Sequence, residues 1–173
     1  MNTPRHILIC GDIGVGKSTL ISRLLTHSDR QIYGFVTKRE PADDKGVCSV
    51  YLHPASAQER VCTQANRVGN CNPDDMMLNT AAFDDIGVSL LKAEPSGILI
   101  MDELGFMESG ADLFCAAVLN ALDGGIPVIA AVKSRHTPFL DAVRKHPNVN
   151  EYCVTLENRD ELYKKLKPLI QRL

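Results

Sequence analysis

The chain has 173 residues, 45% of them hydrophobic and 23% charged, with a formal net charge of −2. These values suit one soluble globular domain with a substantial core, and the lack of a basic block argues against sequence-independent nucleic-acid binding. No apolar run reaches the length of a membrane span, and the lead Met1-Asn2-Thr3-Pro4-Arg5-His6 leaves no room for a signal peptide, so a cytoplasmic protein is expected.

His6 to Cys10 is a continuous apolar run that predicts a buried parallel strand. After a glycine-rich turn, residues 17–27 place Leu20, Ile21, Leu24 and Leu25 on one helical face. Ile32 to Thr37 predicts a second strand, and Glu40 to Gly46 a hairpin turn. Val47 to Leu52 and Glu59 to Thr63 alternate as antiparallel strands do, followed by a loop from Asn66 to Asp75 with Gly69 and Pro73. The insertion around residues 45–63 should extend one edge of the sheet. Ala82, Phe83, Ile86, Leu90 and Leu91 return to helical spacing, which Pro95 ends.

Gly97 to Met101 reads as another buried strand, ending at Asp102-Glu103. A helix carrying Leu113, Phe114, Ala117, Val118 and Leu122 closes at Gly124-Gly125, and Pro127 to Val132 is a strand. Thr137-Pro138 supplies an N-cap and a first-turn proline. Tyr152 to Thr155 predicts the last strand, and Leu162, Leu166, Leu169, Ile170 and Leu173 the face of the last helix. Apolar strands alternating with amphipathic helices predict a wound α/β sheet, in a single domain over residues 1–173.

The six cysteines are Cys10, Cys48, Cys62, Cys71, Cys115 and Cys153. None forms a CxxC pair or has a histidine at metal-finger spacing, so free thiols are expected.

Gly11-Asp12-Ile13-Gly14-Val15-Gly16-Lys17-Ser18 satisfies G-x-x-x-x-G-K-[ST] at every fixed position, between a buried strand and an amphipathic helix. Glycines let the backbone wrap phosphates with its N–H groups inward, and the helix N-terminus adds partial positive charge. Lys17 brings a full charge to the β/γ-phosphates and Ser18 a hydroxyl to Mg²⁺. The nucleotide-binding segment therefore runs from Gly11 through Thr19. A dinucleotide fingerprint fits less well, because position 19 is Thr19 rather than glycine.

An apolar strand beside the first would deliver Asp102 to the Mg²⁺, directly or through water. Glu103, one residue on, can then orient or deprotonate the attacking water. The pairs Asp43-Asp44, Asp74-Asp75 and Asp84-Asp85 lie in loops or on a helix face and are expected to be solvated. Lys133 and Arg135 follow a strand end, where open α/β sheets place ligand contacts. Either one reaches the γ-phosphate, or both belong to a solvated loop.

Four segments together resemble the THEP1-type nucleoside-triphosphatases: the loop at residues 11–18, Gly34-Phe35-Val36-Thr37, Asp102-Glu103-Leu104-Gly105-Phe106-Met107-Glu108, and Val154-Thr155-Leu156-Glu157-Asn158-Arg159-Asp160. They occur in the family's order and span nearly the whole chain. The family pattern at the third segment is D-E-I-G-K-M-E, so Phe106 stands where a lysine is usual. Thr37 to Glu40 follows the family's T-E-E-V-R only loosely.

The resemblance implies a three-layer, RecA-like P-loop sheet and Mg²⁺-dependent hydrolysis of several nucleoside triphosphates (ATP, with GTP, CTP and UTP as candidates). It also makes Arg159 a candidate contact to base or phosphates. Asn158 at the helix start with Glu161 three residues on is equally readable as a capping box. A small nucleoside or nucleotide kinase and a nucleotide-dependent switch protein are the alternative functions on the same core.

Overall fold

The computed structural model describes residues 5–71 and 76–173. The chain start Met1–Pro4, Pro73 and the pair Asp74-Asp75 lie outside the described residues. Seven strands form one sheet: β1 (His6–Cys10), β2 (Ile32–Arg39), β3 (Ser49–Pro54), β4 (Arg67–Asn70), β5 (Ile98–Leu104), β6 (Val128–Val132) and β7 (Val149–Cys153), in the order β4-β3-β2-β5-β6-β1-β7. From β2 to β7 every pairing is parallel, whereas β3 and β4 add antiparallel to the β2 edge. The fold is the expected mainly parallel P-loop sheet with an antiparallel edge.

The period-2 alternation of the strands builds two cores. Ile7, Ile9, Ile98, Ile100 and Ile129 face α1 (Lys17–Leu25) and the C-terminal helix Arg159–Ile170 through Leu20, Leu24, Leu162 and Leu166. Leu8, Phe35, Leu99 and Met101 face the other way. They meet Phe83 and Ala82 from the helical stretch Thr80–Ala82 (α2), Phe83–Gly87 (a π-turn) and Val88–Leu90 (α3). Phe114 and Val118 of α4 (Asp112–Asp123), with Leu140 of α5 (Pro138–Arg144), complete that layer. The helix Arg159–Ile170 is α6. Thr137 caps α5 as its sequence indicates, its hydroxyl accepting from the Leu140 N–H at 3.1 Å.

Three boundaries differ from the sequence reading. Residues 59–63 are not a strand; Val61 is exposed, and the segment hangs on Asn66, whose side chain bonds Thr63 N–H and the carbonyls of Val61 and Leu52. The third antiparallel strand is instead β4, inside the stretch read as loop, because Val68 fills the core. The last strand begins at Val149 and ends at Cys153, so Thr155 lies beyond it. Asp84 is not merely solvated: it accepts from the Phe114 N–H at 2.9 Å and so caps α4 from another element.

Gly34 permits the tightest approach inside the sheet. Its φ is 96°, and a Cβ there would lie 1.9 Å from the Ile100 carbonyl oxygen on β5. The six cysteines are free, and among the described residues no His/Cys/Asp/Glu cluster could hold a metal ion by itself. No helix of the described residues is long and apolar enough to cross a membrane.

Candidate active site

The site forms where β1, β6 and β5 end together. β6 lies between the other two, and Val132 is the register partner of both Cys10 and Leu104. The loop after β1 and the carboxylates of β5 are thereby held at one level, one strand apart. Asp102 and Glu103 belong to β5 itself rather than to the turn after it.

Gly16 is the N-cap of α1 with φ 98°, and no side chain caps the helix. The loop's backbone therefore supplies the helix terminus, the arrangement that suits an anion. Lys17 is 6% exposed and folds back across the loop, its ammonium donating to the carbonyls of Gly11 at 2.7 Å and Asp12 at 2.9 Å. It also pairs with Glu103, Nζ to Oε1 at 2.9 Å. That contact is one of charge, since Oε1 is buried and accepts no aligned hydrogen bond.

Ser18 donates its hydroxyl to Asp102 Oδ1 at 3.0 Å. Burial pushes the Asp102 carboxyl above the usual range; the Ser18 hydrogen bond, Lys38 and Lys17 pull it down, while Glu103 pushes it up. A hydroxyl and a carboxylate in contact are two hard oxygen donors. They fit Mg²⁺, which takes one or two protein oxygens and fills its shell from phosphate and water. Of the remaining loop residues, Asp12 accepts from the Ser134 hydroxyl at 3.0 Å, Ile13 is 88% exposed, and Thr19 continues α1.

Arg159 comes from the start of α6 and packs on the loop. A Cβ at Gly16 would sit 3.1 Å from its Nη1, and its Nε is buried without a hydrogen-bond partner. Asn158 does not form a capping box. Its Oδ1 accepts from Thr155 N–H and its Nδ2 donates to the Cys153 carbonyl, so it ties the end of β7 to the start of α6.

Thr37 had no assigned role in the sequence, yet it holds the Asp102–Glu103 peptide from β2. Its hydroxyl donates to the Asp102 carbonyl at 3.4 Å and accepts from Glu103 N–H at 3.2 Å. The available signal was a hydroxyl at the end of a parallel strand neighbouring the carboxylate strand. Glu108 is the other addition. It is buried, accepts from Gly105 N–H, and desolvation raises its carboxyl to about 7 against the pull of that N–H and of Lys133.

Fold and loop define a P-loop nucleotide-binding protein with one strand interposed between its phosphate loop and its acidic strand. A family model described as NTPase matches residues 6–167. The "Cancer-related nucleoside-triphosphatase homolog" of Mus musculus is 26% identical over 96% of this chain and 97% of its own. "Nucleoside-triphosphatase THEP1" of Thermotoga petrophila is 29% identical over 92% of this chain and 89% of its own. The crystal structure of THEP1 from Aquifex aeolicus shares the fold, with a TM-score of 0.74 at 21% identity over 96% of this chain and 99% of that one. The chain belongs to the THEP1-type nucleoside-triphosphatase family, and its activity is that of an NTPase.

Proposed function

We propose that residues 1–173 act as a single domain that hydrolyses ATP, and by the same apparatus GTP, CTP and UTP, to the diphosphate and phosphate with Mg²⁺. The observation that carries this reading is a pairwise meeting: Ser18 with Asp102, and Lys17 with Glu103. The two phosphate-loop side chains that would serve the ligand, Lys17 and Ser18, each face one carboxylate of β5.

The backbone from Gly11 through Thr19 (Gly11, Asp12, Ile13, Gly14, Val15, Gly16) wraps the phosphates. Lys17 leaves Glu103 for the β/γ-phosphate oxygens. Ser18 and Asp102 would hold Mg²⁺, which would supply positive charge against that of the phosphates. Glu103, freed from Lys17, takes the proton of the attacking water. Thr37 fixes the peptide that carries Glu103, and Arg159 closes the loop on the side of Gly16. The protein's setting is the cytoplasm, and it needs neither nucleic acid nor membrane. The near-neutral charge, without a basic block, supports the reading as to nucleic acid.

Phosphate release from each of the four triphosphates, with no acceptor other than water and with or without EDTA, tests the reading. Release that is abolished by EDTA and by Lys17→Ala supports it. Phosphate transfer only to an added nucleoside would make the protein a kinase.

A further inference from the structure

We propose that Lys133 is a second catalytic cation, its ammonium contacting the γ-phosphoryl group of the bound triphosphate from the end of β6. The inference rests on the reading of Lys17, Asp102 and Glu103 given above and extends it to a residue outside both motifs.

Position comes first. Val132 is paired with Cys10 on one side and Leu104 on the other, and Lys133 N–H donates to the Leu104 carbonyl at 3.0 Å. Lys133 therefore leaves the sheet between the phosphate loop and the strand end that carries Glu103. Its side chain enters a cleft of about 450 Å³ whose walls include Gly11, Asp12, Ile13 and Phe106. Its stem lies along Gly105, where a Cβ would be 3.1 Å from Lys133 Cδ, and its Nζ stands 5.5 Å from the centroid of the Phe106 ring.

The segment is exposed from Ser134 to His136 but tethered. Arg144 donates to the carbonyls of both Lys133 and Arg135. Ser134 bonds Asp12 of the phosphate loop, and the Arg135 guanidinium stacks 4.6 Å from the centroid of the same Phe106 ring. The backbone that carries the cation is thereby fixed, which lessens the reorganisation needed when charge develops beside it.

Charge completes the argument. Among the described residues no carboxylate lies within 4.0 Å of the Lys133 ammonium, whereas Lys17 is already paired with Glu103. Lys133 thus has no carboxylate in contact, its charge reaching only the buried Glu108 from a distance, and it stands where the γ-phosphoryl oxygens would arrive. Phe106, where the family pattern has lysine, serves as its platform, so the positive charge missing at position 106 enters from β6. In hydrolysis, water forms the new P–O bond, the bridging oxygen leaves on the diphosphate and Glu103 receives the proton. Lys133 transfers none; it balances charge on the γ-phosphoryl oxygens.

The test compares Lys133→Met and the polar, uncharged Lys133→Gln with the intact protein, Lys17→Ala, and Phe106→Lys placed on Lys133→Met. The measurements are single-turnover ATP hydrolysis, affinity for Mg·ADP, affinity for a non-hydrolysable Mg·ATP analogue, and thermal melting. Both Lys133 variants should fold and slow single turnover by roughly 10²–10³-fold, the scale for losing one preorganised stabiliser of transition-state charge. Mg·ADP affinity, which involves no γ-phosphate, should stay unchanged. Phe106→Lys should recover at least tenfold of the loss. Turnover within threefold of the intact protein, or an equal loss of Mg·ADP and analogue binding, overturns the inference. If Lys17→Ala left analogue binding intact, the underlying phosphate-loop reading would fail. With that control behaving as expected, a silent Lys133→Met defeats Lys133 alone.

Discussion

Lys17 and Glu103 neutralise each other across the site, ammonium to carboxylate at 2.9 Å. The group that would grip the phosphates and the group that would activate water are each other's partner until a triphosphate separates them. The pairing has consequences for binding as well as for turnover.

Glu103→Gln should lower single-turnover hydrolysis by roughly 10²–10⁴-fold, because the amide cannot accept a proton. Triphosphate affinity should hold or tighten a few-fold, since Lys17 loses its competing anion. Titration with a non-hydrolysable analogue and a quench-flow measurement read the two effects separately. Turnover at the intact rate would exclude Glu103 as the base.

Asp102→Asn should act on the metal. Its partner is Ser18 rather than Lys17, so the Mg²⁺ concentration needed for half-maximal turnover should rise by roughly 10–100-fold, the scale on which metal sites lose affinity with one supporting group. A Mg²⁺ titration of the steady-state rate decides this. An unshifted midpoint would remove Asp102 from the metal site.

Glu108 should leave a signature in stability against pH. Its folded carboxyl titrates at about 7 and its ordinary value is 4.5, so the folded state keeps a proton that the unfolded chain releases between those limits. Stability from this group therefore falls as pH rises from about 4.5 to about 7 and stays lower above. Glu108→Gln keeps an oxygen for Gly105 N–H and removes the ionisation. The unfolding free energy of the variant relative to the parent should climb across that window. A pH-independent difference would mean that Glu108 ionises as an exposed carboxylate does.

Gly34→Ala should cost at least ~3 kcal/mol in urea unfolding, since the backbone there is left-handed and the added methyl meets the Ile100 carbonyl. Gly110→Ala is the control. The methyl would meet only Thr80 Cγ2 at 3.4 Å, and the change should stay within about 0.5 kcal/mol, as surface substitutions do. Equal costs at the two positions would contradict the account of the β2–β5 approach.

Base selectivity should be shallow. The phosphate apparatus is complete, whereas Arg159 lies on the loop beside Gly16 and Asn158 is occupied in tying β7 to α6. Without side chains built to hydrogen-bond one base, kcat/KM for ATP, GTP, CTP and UTP should differ by far less than about a thousandfold. A larger preference would reveal a base pocket.

Local chemistry made the central strands and the phosphate loop readable. Runs such as Ile98–Met101 are apolar on both faces, and the loop's glycines and Lys17 recur at fixed spacing. The antiparallel edge was less readable. Glu59–Thr63 alternates and Arg67–Asn70 reads as loop, whereas Asn66 side-chain bonds and burial of Val68 make the second of them the strand. Thr37 was invisible as a site residue, and the choice between ligand contact and solvated loop stayed open at Lys133, for another reason. Their roles depend on which strands are neighbours, and the order β2-β5-β6-β1 is not written in any local pattern.

That order also makes β6 a spacer of fixed width. Two interstrand steps of about 4.8 Å separate β1 from β5, a gap of roughly 10 Å that side chains from each bank must bridge. Reach, and not charge alone, is therefore selected at positions 17 and 103. Glu103→Asp keeps the carboxylate but shortens it by one methylene, and it should lose both the contact with Lys17 and most of the turnover. Swaps among Val, Ile and Leu within Val128–Val132 leave the width untouched and should be tolerated by the chemistry even where they loosen the core.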